Sequence, residues 1–339
     1  MPYKIEIINN QNDLVSVKDK WDQLFEKSGK SVSQSYDFSL HSSNYDIKKN
    51  EDMELYFILF FNDIELKCIL PFLKKKRVLY KGIKGSVSGD ECDFLISNHS
   101  DVRQVCSTFY NFLNKNNFKV YIRDLDASSP FLKYFEYYHK KNFYSYLDSE
   151  KIEINIRYSK PFPKKIRNER VRILKKIKHT VTEKNNRIDK KTILKVINTI
   201  LKQNNNRKKE YYNENLIDFL LSGLNRGWLE CYTTKLENEI VALNFLIVNK
   251  HHRLFFIDMY KSIPLLNLGI YYRLVDYIKS ENKDNDRIGL GRGLYQYKIK
   301  NFNPEITPLV NVVITKNILF TIYEILKIFL ITSVRKFVK

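Results

Sequence analysis

Two stretches late in the chain hold side chains able to move a proton or grip an anion. The first runs Asp258-Met259-Tyr260-Lys261-Ser262-Ile263-Pro264-Leu265-Leu266-Asn267-Leu268-Gly269-Ile270. Asp258 closes an apolar strand. Burial there raises a carboxyl toward neutrality and suits it to be a general base, whereas the plainer alternative is a solvated strand-end carboxylate. Pro264 and Gly269 mark a loop, and an amphipathic helix is expected from about Gly269. The N–H groups and positive dipole end of a helix start can hold a pyrophosphate, here against Asn267, Leu268, Gly269 and Ile270, and a glycine lets the backbone approach closely. An ordinary strand-to-helix connection reads the same way. The second stretch, Arg287 to Phe302, passes from a short strand through Gly289-Leu290-Gly291-Arg292-Gly293 into a helix bearing Tyr295, Tyr297 and Lys298. Arg292 can grip an anion with its planar fork and Lys298 as a point charge, or both can pair with neighbours.

Such groups need a sheet to carry them, and the hydrophobic pattern supplies two. Glu54 to Phe61 and Ile64 to Leu73 read as a hairpin about Asn62-Asp63, between helices at Asp13 to Lys27 and about Asp101 to Lys115. A strand at Phe118 to Asp124 and a helix near Pro130 to Lys140 close this half. Later, Trp228 to Lys235 and Ile240 to Asn249 form a hairpin about Glu237-Asn238-Glu239, and Arg253 to Tyr260 adds a strand. The turns at Asn62 and Asn238 stand 176 residues apart, about half the chain, which reads as a duplicated α/β unit. The expected division is 1–158, a basic helical bridge at 159–206, 207–315 and a terminal amphipathic helix at 316–339. Pro163 to His179 is itself a basic amphipathic helix, with Ile166, Val171, Leu174 and Ile177 as its apolar stripe.

The 339 residues carry 58 Lys and Arg against 38 Asp and Glu, a net charge of +20 that favours anionic partners: phosphates, nucleic acid or an acidic membrane face. Cys68, Cys92, Cys106 and Cys231 show no Cys-x-x-Cys spacing and the six histidines no ligand spacing, so no metal site or disulfide framework is expected. The first residues lack the apolar core of a signal peptide, which makes the cytoplasm the expected location. The apolar run Ile318 to Ile331 is shorter than the roughly 20 residues that span a bilayer, and Glu324 and Lys327 interrupt it.

The order of elements (basic helix, Leu-rich helix at Thr192 to Lys202, hairpin, Pro-to-Gly269 loop, then the Arg-Gly turn with Tyr297-Lys298) resembles the GNAT-fold acyltransferases of the cellulose and capsule biosynthesis type, the CelD type. The resemblance covers most of the chain. It implies an α/β protein of α+β type, with two tandem GNAT-like domains whose mixed, mostly antiparallel sheets are flanked by helices. It also implies that the C-terminal domain holds acetyl-CoA or another acyl-CoA. In the GNAT scheme the strand Arg253 to Tyr260 splays from its neighbour, so that Phe256, Ile257, Asp258 and Met259 line a slot for pantetheine. An amine then attacks the thioester directly, with Asp258 as base and Tyr297, or Tyr295 beside it, as acid to the departing thiolate. Arg292 and Lys298 would meet the acceptor, small or lipid-carrier-linked, such as an aminosugar of a surface polysaccharide. The chain departs from the family in having Gly289-Leu290-Gly291 where an acid commonly precedes the Arg-Gly turn, and a single glycine in the phosphate loop. Two alternatives stand beside this reading: a Fem-type transferase using aminoacyl-tRNA, and a non-catalytic RNA- or membrane-binding protein. The terminal helix is expected either to pack on the protein or to lie on the inner face of the cytoplasmic membrane.

Overall fold

The computed structural model describes residues 3–29, 31–83, 87, 92–155, 164–203, 212–249, 252–281, 287–292, 296–316, 319, 322 and 323. In chain order the elements are β1 (Lys4–Ile8), α1 (Gln11–Ser16), α2 (Lys18–Ser28), α3 (Tyr36–Lys49), β2 (Glu54–Asn62), β3 (Glu65–Lys75), β4 (Val78–Lys81), β5 (Leu95–Ile96), α4 (His99–Asn116), β6 (Lys119–Asp126), α5 (Pro130–Tyr138) and β7 (Phe143–Asn155). There follow α6 (Lys164–Lys176), β8 (Thr180–Lys184), α7 (Lys190–Gln203), α8 (Glu214–Arg226), β9 (Leu229–Leu236), β10 (Glu239–Val248), β11 (His252–Tyr260), α9 (Leu266–Glu281), β12 (Arg287–Arg292), α10 (Gln296–Phe302) and β13 (Glu305–Ile314).

The chain folds into two compact units, 1–39 with 49–148 and 309–339, and 40–48 with 149–308. The expected contiguous halves therefore interleave. The last strand returns to the first unit, and the basic bridge is built into the second, where it contributes α6, α7 and an edge strand, β8. In each unit antiparallel hairpins lead to one parallel pair, which is the mixed, mostly antiparallel, helix-flanked arrangement expected.

In the first unit the strand order is β1-β2-β3-β4-β6-β13, with β5 pairing β3. The β2–β3 hairpin turns through Asp63 at φ 52°, a left-handed conformation that Asp tolerates. Helix α4 is started by Asn98, whose side chain accepts from Asp101 N at 3.1 Å, and is stopped by Asn117 at φ 51°. Its stripe Val102, Val105, Cys106, Phe109 and Leu113 faces a core in which the Phe72 and Phe109 rings stack at 5.8 Å and Phe94 meets Phe131 at 4.7 Å.

In the second unit the order is β7-β12-β11-β10-β9-β8. The hairpin β9–β10 turns through Glu237 and Asn238, both left-handed at φ 50° and 67°, the geometry a two-residue hairpin favours. Its core gathers Ile152, Ile154, Phe255, Tyr272, Val275, Ile288 and Leu290. Helix α6 packs on α9: Ile173 of α6 and Ile177 just past its end face Gly269, and Arg170 lies 4.8 Å from the Tyr272 ring while pairing with Asp276. Arg273 closes the end of α6 by donating to the carbonyls of Ile177 and Thr180 at 2.7 Å each.

Candidate active site

The second unit's parallel pair comes apart. Strands β11 and β12 are in register only at His252–Arg287, Arg253–Ile288 and Leu254–Gly289, and beyond these the described residues show no further pairing. Each strand bulges just past that point. On β11, Phe245 faces Ile257 while the next residue of β10, Leu246, faces Phe255, which leaves Phe256 as the extra residue. On β12, Gly289 faces Glu153 but Arg292 faces Lys151, so one residue is extra there too, and Gly291 sits at φ 74°. A bulge bends its strand and turns side chains to the other face. The glycine at 291 supplies the left-handed residue that such a bend takes. The Gly289-Leu290-Gly291 run is thus a strand made to leave its neighbour. From Phe255 onward the side of β11 toward β12 makes no further ladder pair among the described residues.

Past the β11 bulge, Asp258 and Tyr260 turn toward α9, where the site's polar groups gather. Asn244 of β10 donates through Nδ2 to Asp258 Oδ1 at 2.6 Å and to the Tyr260 hydroxyl at 2.7 Å. Tyr271 of α9 donates to Asp258 Oδ2. Lys298 of α10, 5% exposed, donates to the carbonyl of Leu290, a residue of the β12 bulge, and its charge acts on Asp258. The Tyr271 ring stacks on Phe255 at 4.4 Å and meets Tyr297 edge-on at 6.2 Å.

Asp258 keeps a partial opening, yet its carboxyl lies deep among these groups. Burial raises its pKa, and the donors Tyr271 and Asn244 with the Lys298 charge only partly offset this. Burial pushes the Tyr260 and Tyr271 hydroxyls well up, and the Asp258 charge adds to it. Both tyrosines are therefore proton donors to the carboxylate, not phenolates. A carboxylate with raised pKa beside two hydroxyls and a buried ammonium can accept a proton from a nucleophile and stabilise charge on a carbonyl oxygen.

The residues expected from the sequence fall in different places. Asp258, Tyr297 and Lys298 come together, whereas Lys298 is an interior group committed to the Leu290 carbonyl and not a surface point charge. Phe256, Ile257 and Met259 lie on β11 beyond the parting, with Phe256 in the bulge. Arg292 is placed by its backbone, opposite Lys151, and its side chain, like Gly293 and Tyr295, lies outside the described residues.

Helix α9 starts at Leu266, three residues earlier than expected, so Asn267, Leu268, Gly269 and Ile270 are its first turns and not a loop. Gly269 N–H is already bonded to the Leu265 carbonyl at 3.0 Å, and a Cβ there would come within 2.3 Å of Ile177 Cδ1. Its small size serves the approach of α6, which corrects the expectation that it opens the backbone to a pyrophosphate. His252 begins β11 and is buried. Asn244, Tyr260 and Tyr271 were not singled out from the sequence, since each sits inside an ordinary strand or helix pattern. Among the described residues no cluster of three or more His, Cys, Asp or Glu could hold a metal ion.

No protein-family model matches the sequence, and no characterised protein matches it by sequence. Solved structures do match. FemX superposes with a TM-score of 0.62 at 12% identity, over 94% of this chain and 99% of its own. L-PGS from Bacillus licheniformis gives 0.59 at 13% identity, over 88% and 92%. A conserved protein of unknown function from Bacteroides thetaiotaomicron gives 0.61 at 14%, over 92% and 100%. The chain has their fold. At such identities the likeness is one of fold alone, and it spans both units.

Proposed function

We propose that the protein is an acyltransferase of GNAT type that moves an acyl group from acyl-coenzyme A, acetyl-CoA in the simplest case, to an amine. The observation that carries this reading is the parted β11–β12 pair with a buried, proton-accepting carboxylate at its inner end. The coenzyme would present its thioester when bound. Residues of the gap, Phe256, Ile257 and Met259 among them, would hold the pantetheine arm through their backbone. Asp258 takes the proton of the attacking amine, with Asn244, Tyr260 and Tyr271 orienting its two oxygens. Tyr297, ring to ring with Tyr271, is the acid for the departing thiolate, and Lys298 supplies positive charge beside the carbonyl that gains electrons. Arg292 would meet the acceptor. An aminosugar of a surface polysaccharide, small or lipid-carrier-linked, follows from the CelD-type resemblance alone, and a peripheral seat of the 316–339 segment on an anionic membrane would suit a lipid-linked acceptor. Among the described residues no helix is long and apolar enough to cross a membrane.

The likeness to FemX favours a second reading: a Fem-type transferase drawing an aminoacyl group from tRNA, which the charge of +20 would suit. Isothermal titration at about 0.15 M salt decides between them. One saturable site for acetyl-CoA is expected. Heat with aminoacyl-tRNA and none with acetyl-CoA would replace the first reading by the second, and no binding of either would leave a non-catalytic protein.

A further inference from the structure

At the closed end of the gap, on the side of the sheet away from the apolar core, stands a buried carboxylate that no step above uses. Glu153 of β7 is 5% exposed and faces Gly289 across the β7–β12 ladder. On the far side of β12, His252 of β11 is 4% exposed, and its Nε2 lies 3.3 Å from Glu153 Oε1. These two side chains sit on strands that are not neighbours and meet over the intervening one. They can do so because residue 289 has no side chain: a Cβ there would lie 3.1 Å from His252 Nε2 and 2.6 Å from Leu254 Cδ1. Lys151 Nζ at 3.3 Å and Arg287 Nη1 at 3.8 Å complete the ring about the carboxylate. Burial opposes its ionisation, yet the neighbouring His252, Lys151 and Arg287 outweigh that and hold the Glu153 carboxyl below the usual carboxylate range.

The position of this ring gives it a role. His252–Arg287 and Leu254–Gly289 are the first and last register pairs before β11 and β12 separate, so the contact spans the root of the gap. One residue further on is Leu290, whose carbonyl receives Lys298. We propose that Glu153, reaching His252 over Gly289, is a positioning residue that fixes where β11 and β12 part and thereby keeps Lys298 within charge reach of Asp258. The inference rests on the acyltransferase reading for its functional meaning, but the positioning itself is testable without a substrate.

Asp258 is the reporter. The groups facing it are Asn244 from β10, Tyr260 from its own strand, Tyr271 from α9, Lys298 from α10 and Tyr212 ahead of α8, with Tyr297 of α10 behind Tyr260 and Tyr271. Of these only Lys298 is cationic and lowers the Asp258 pKa by charge. If the root of the gap shifts and Lys298 withdraws, the Asp258 carboxyl must titrate at higher pH. The experiment is a carbon-13 titration of the Asp258 carboxyl in the ligand-free full chain, as parent, Glu153→Gln, Glu153→Ala and Gly289→Ala, with acetyl-CoA titrated into each. The Asp258 midpoint is expected to rise in Glu153→Ala and Gly289→Ala, with Glu153→Gln between them and the parent. Acetyl-CoA affinity is expected to fall by about tenfold or more, since misplacement by about 1 Å can cost up to about 10²-fold. A general loss of stability would lower the folded fraction without moving this midpoint. An unmoved midpoint in folded Glu153→Ala, or in Glu153→Gln should the others not fold, overturns the proposal. A moved midpoint in a protein that binds no acetyl-CoA upholds the positioning and removes the donor assignment instead.

Discussion

The two units share a plan and differ in what they bury. In the first, β4 and β6 run parallel and in register over Val78–Lys81 and Lys119–Ile122, and the helices cover them with a cluster of phenylalanines. In the second, the corresponding pair parts after three residues, and the space behind it holds Asp258, Asn244, Tyr260, Tyr271 and Lys298. The offset that relates the two hairpins sets Cys68 against Asn244: one is a buried thiol whose pKa burial pushes well up, the other the residue that clamps the acid. A closed sheet with an apolar core is a scaffold. An opened one exchanges ladder hydrogen bonds and packing for a place where a ligand and a proton can go, the familiar opposition of stability and activity.

The largest effect should come from removing the base. Asp258→Asn is expected to lower turnover by about 10²–10⁴-fold in a steady-state assay while leaving the fold intact. The matching experiment in the first unit inverts this pattern. Phe109→Ala, which empties the centre of the aromatic cluster, should cost about 3–5 kcal/mol in denaturant unfolding yet leave turnover per folded molecule nearly unchanged. A large loss of turnover per folded molecule there would mean that the first unit takes part in the chemistry.

Tyr297→Phe removes a hydroxyl and almost no volume, and a fall in turnover of about 10²-fold is expected, with donor affinity unchanged. The smallest effects concern pH. Activity should fall as pH drops through the raised pKa of Asp258, whose carboxylate form is the base. Glu153 runs the other way as a stability effect. Its pKa is depressed, so its contribution is fully present above the unfolded value of 4.5 and is lost as pH falls through about 2. Glu153→Gln should therefore flatten the acid limb of the unfolding curve and leave the neutral plateau lower.

The hairpins were legible because aromatic and β-branched runs flank turn dipeptides, and α4 because its apolar residues keep the helical period. Helix α3 was not, since Ser39, Ser42, Ser43 and Asp46 are buried polar residues that break that period. Strand β7 hid because both of its sides are buried at 152–154, so Lys151 and Glu153 read as surface charge. In the site, Asp258, Tyr297 and Lys298 stood out at element ends, beside punctuating residues. Asn244, Tyr260 and Tyr271 meet Asp258 only through register and helix packing, which local spacing does not encode. Gly269 misled for a related reason: a glycine in a first turn looks the same whether a phosphate or a neighbouring helix needs the room.

Amide hydrogen exchange with and without saturating acetyl-CoA bears most directly on the claim that the parted pair of the second unit is the donor site. The account predicts protection concentrated in residues 255–260 and 287–292, with β4 and β6 of the first unit unchanged. Protection confined to β4 and β6, or none anywhere at saturation, would contradict it.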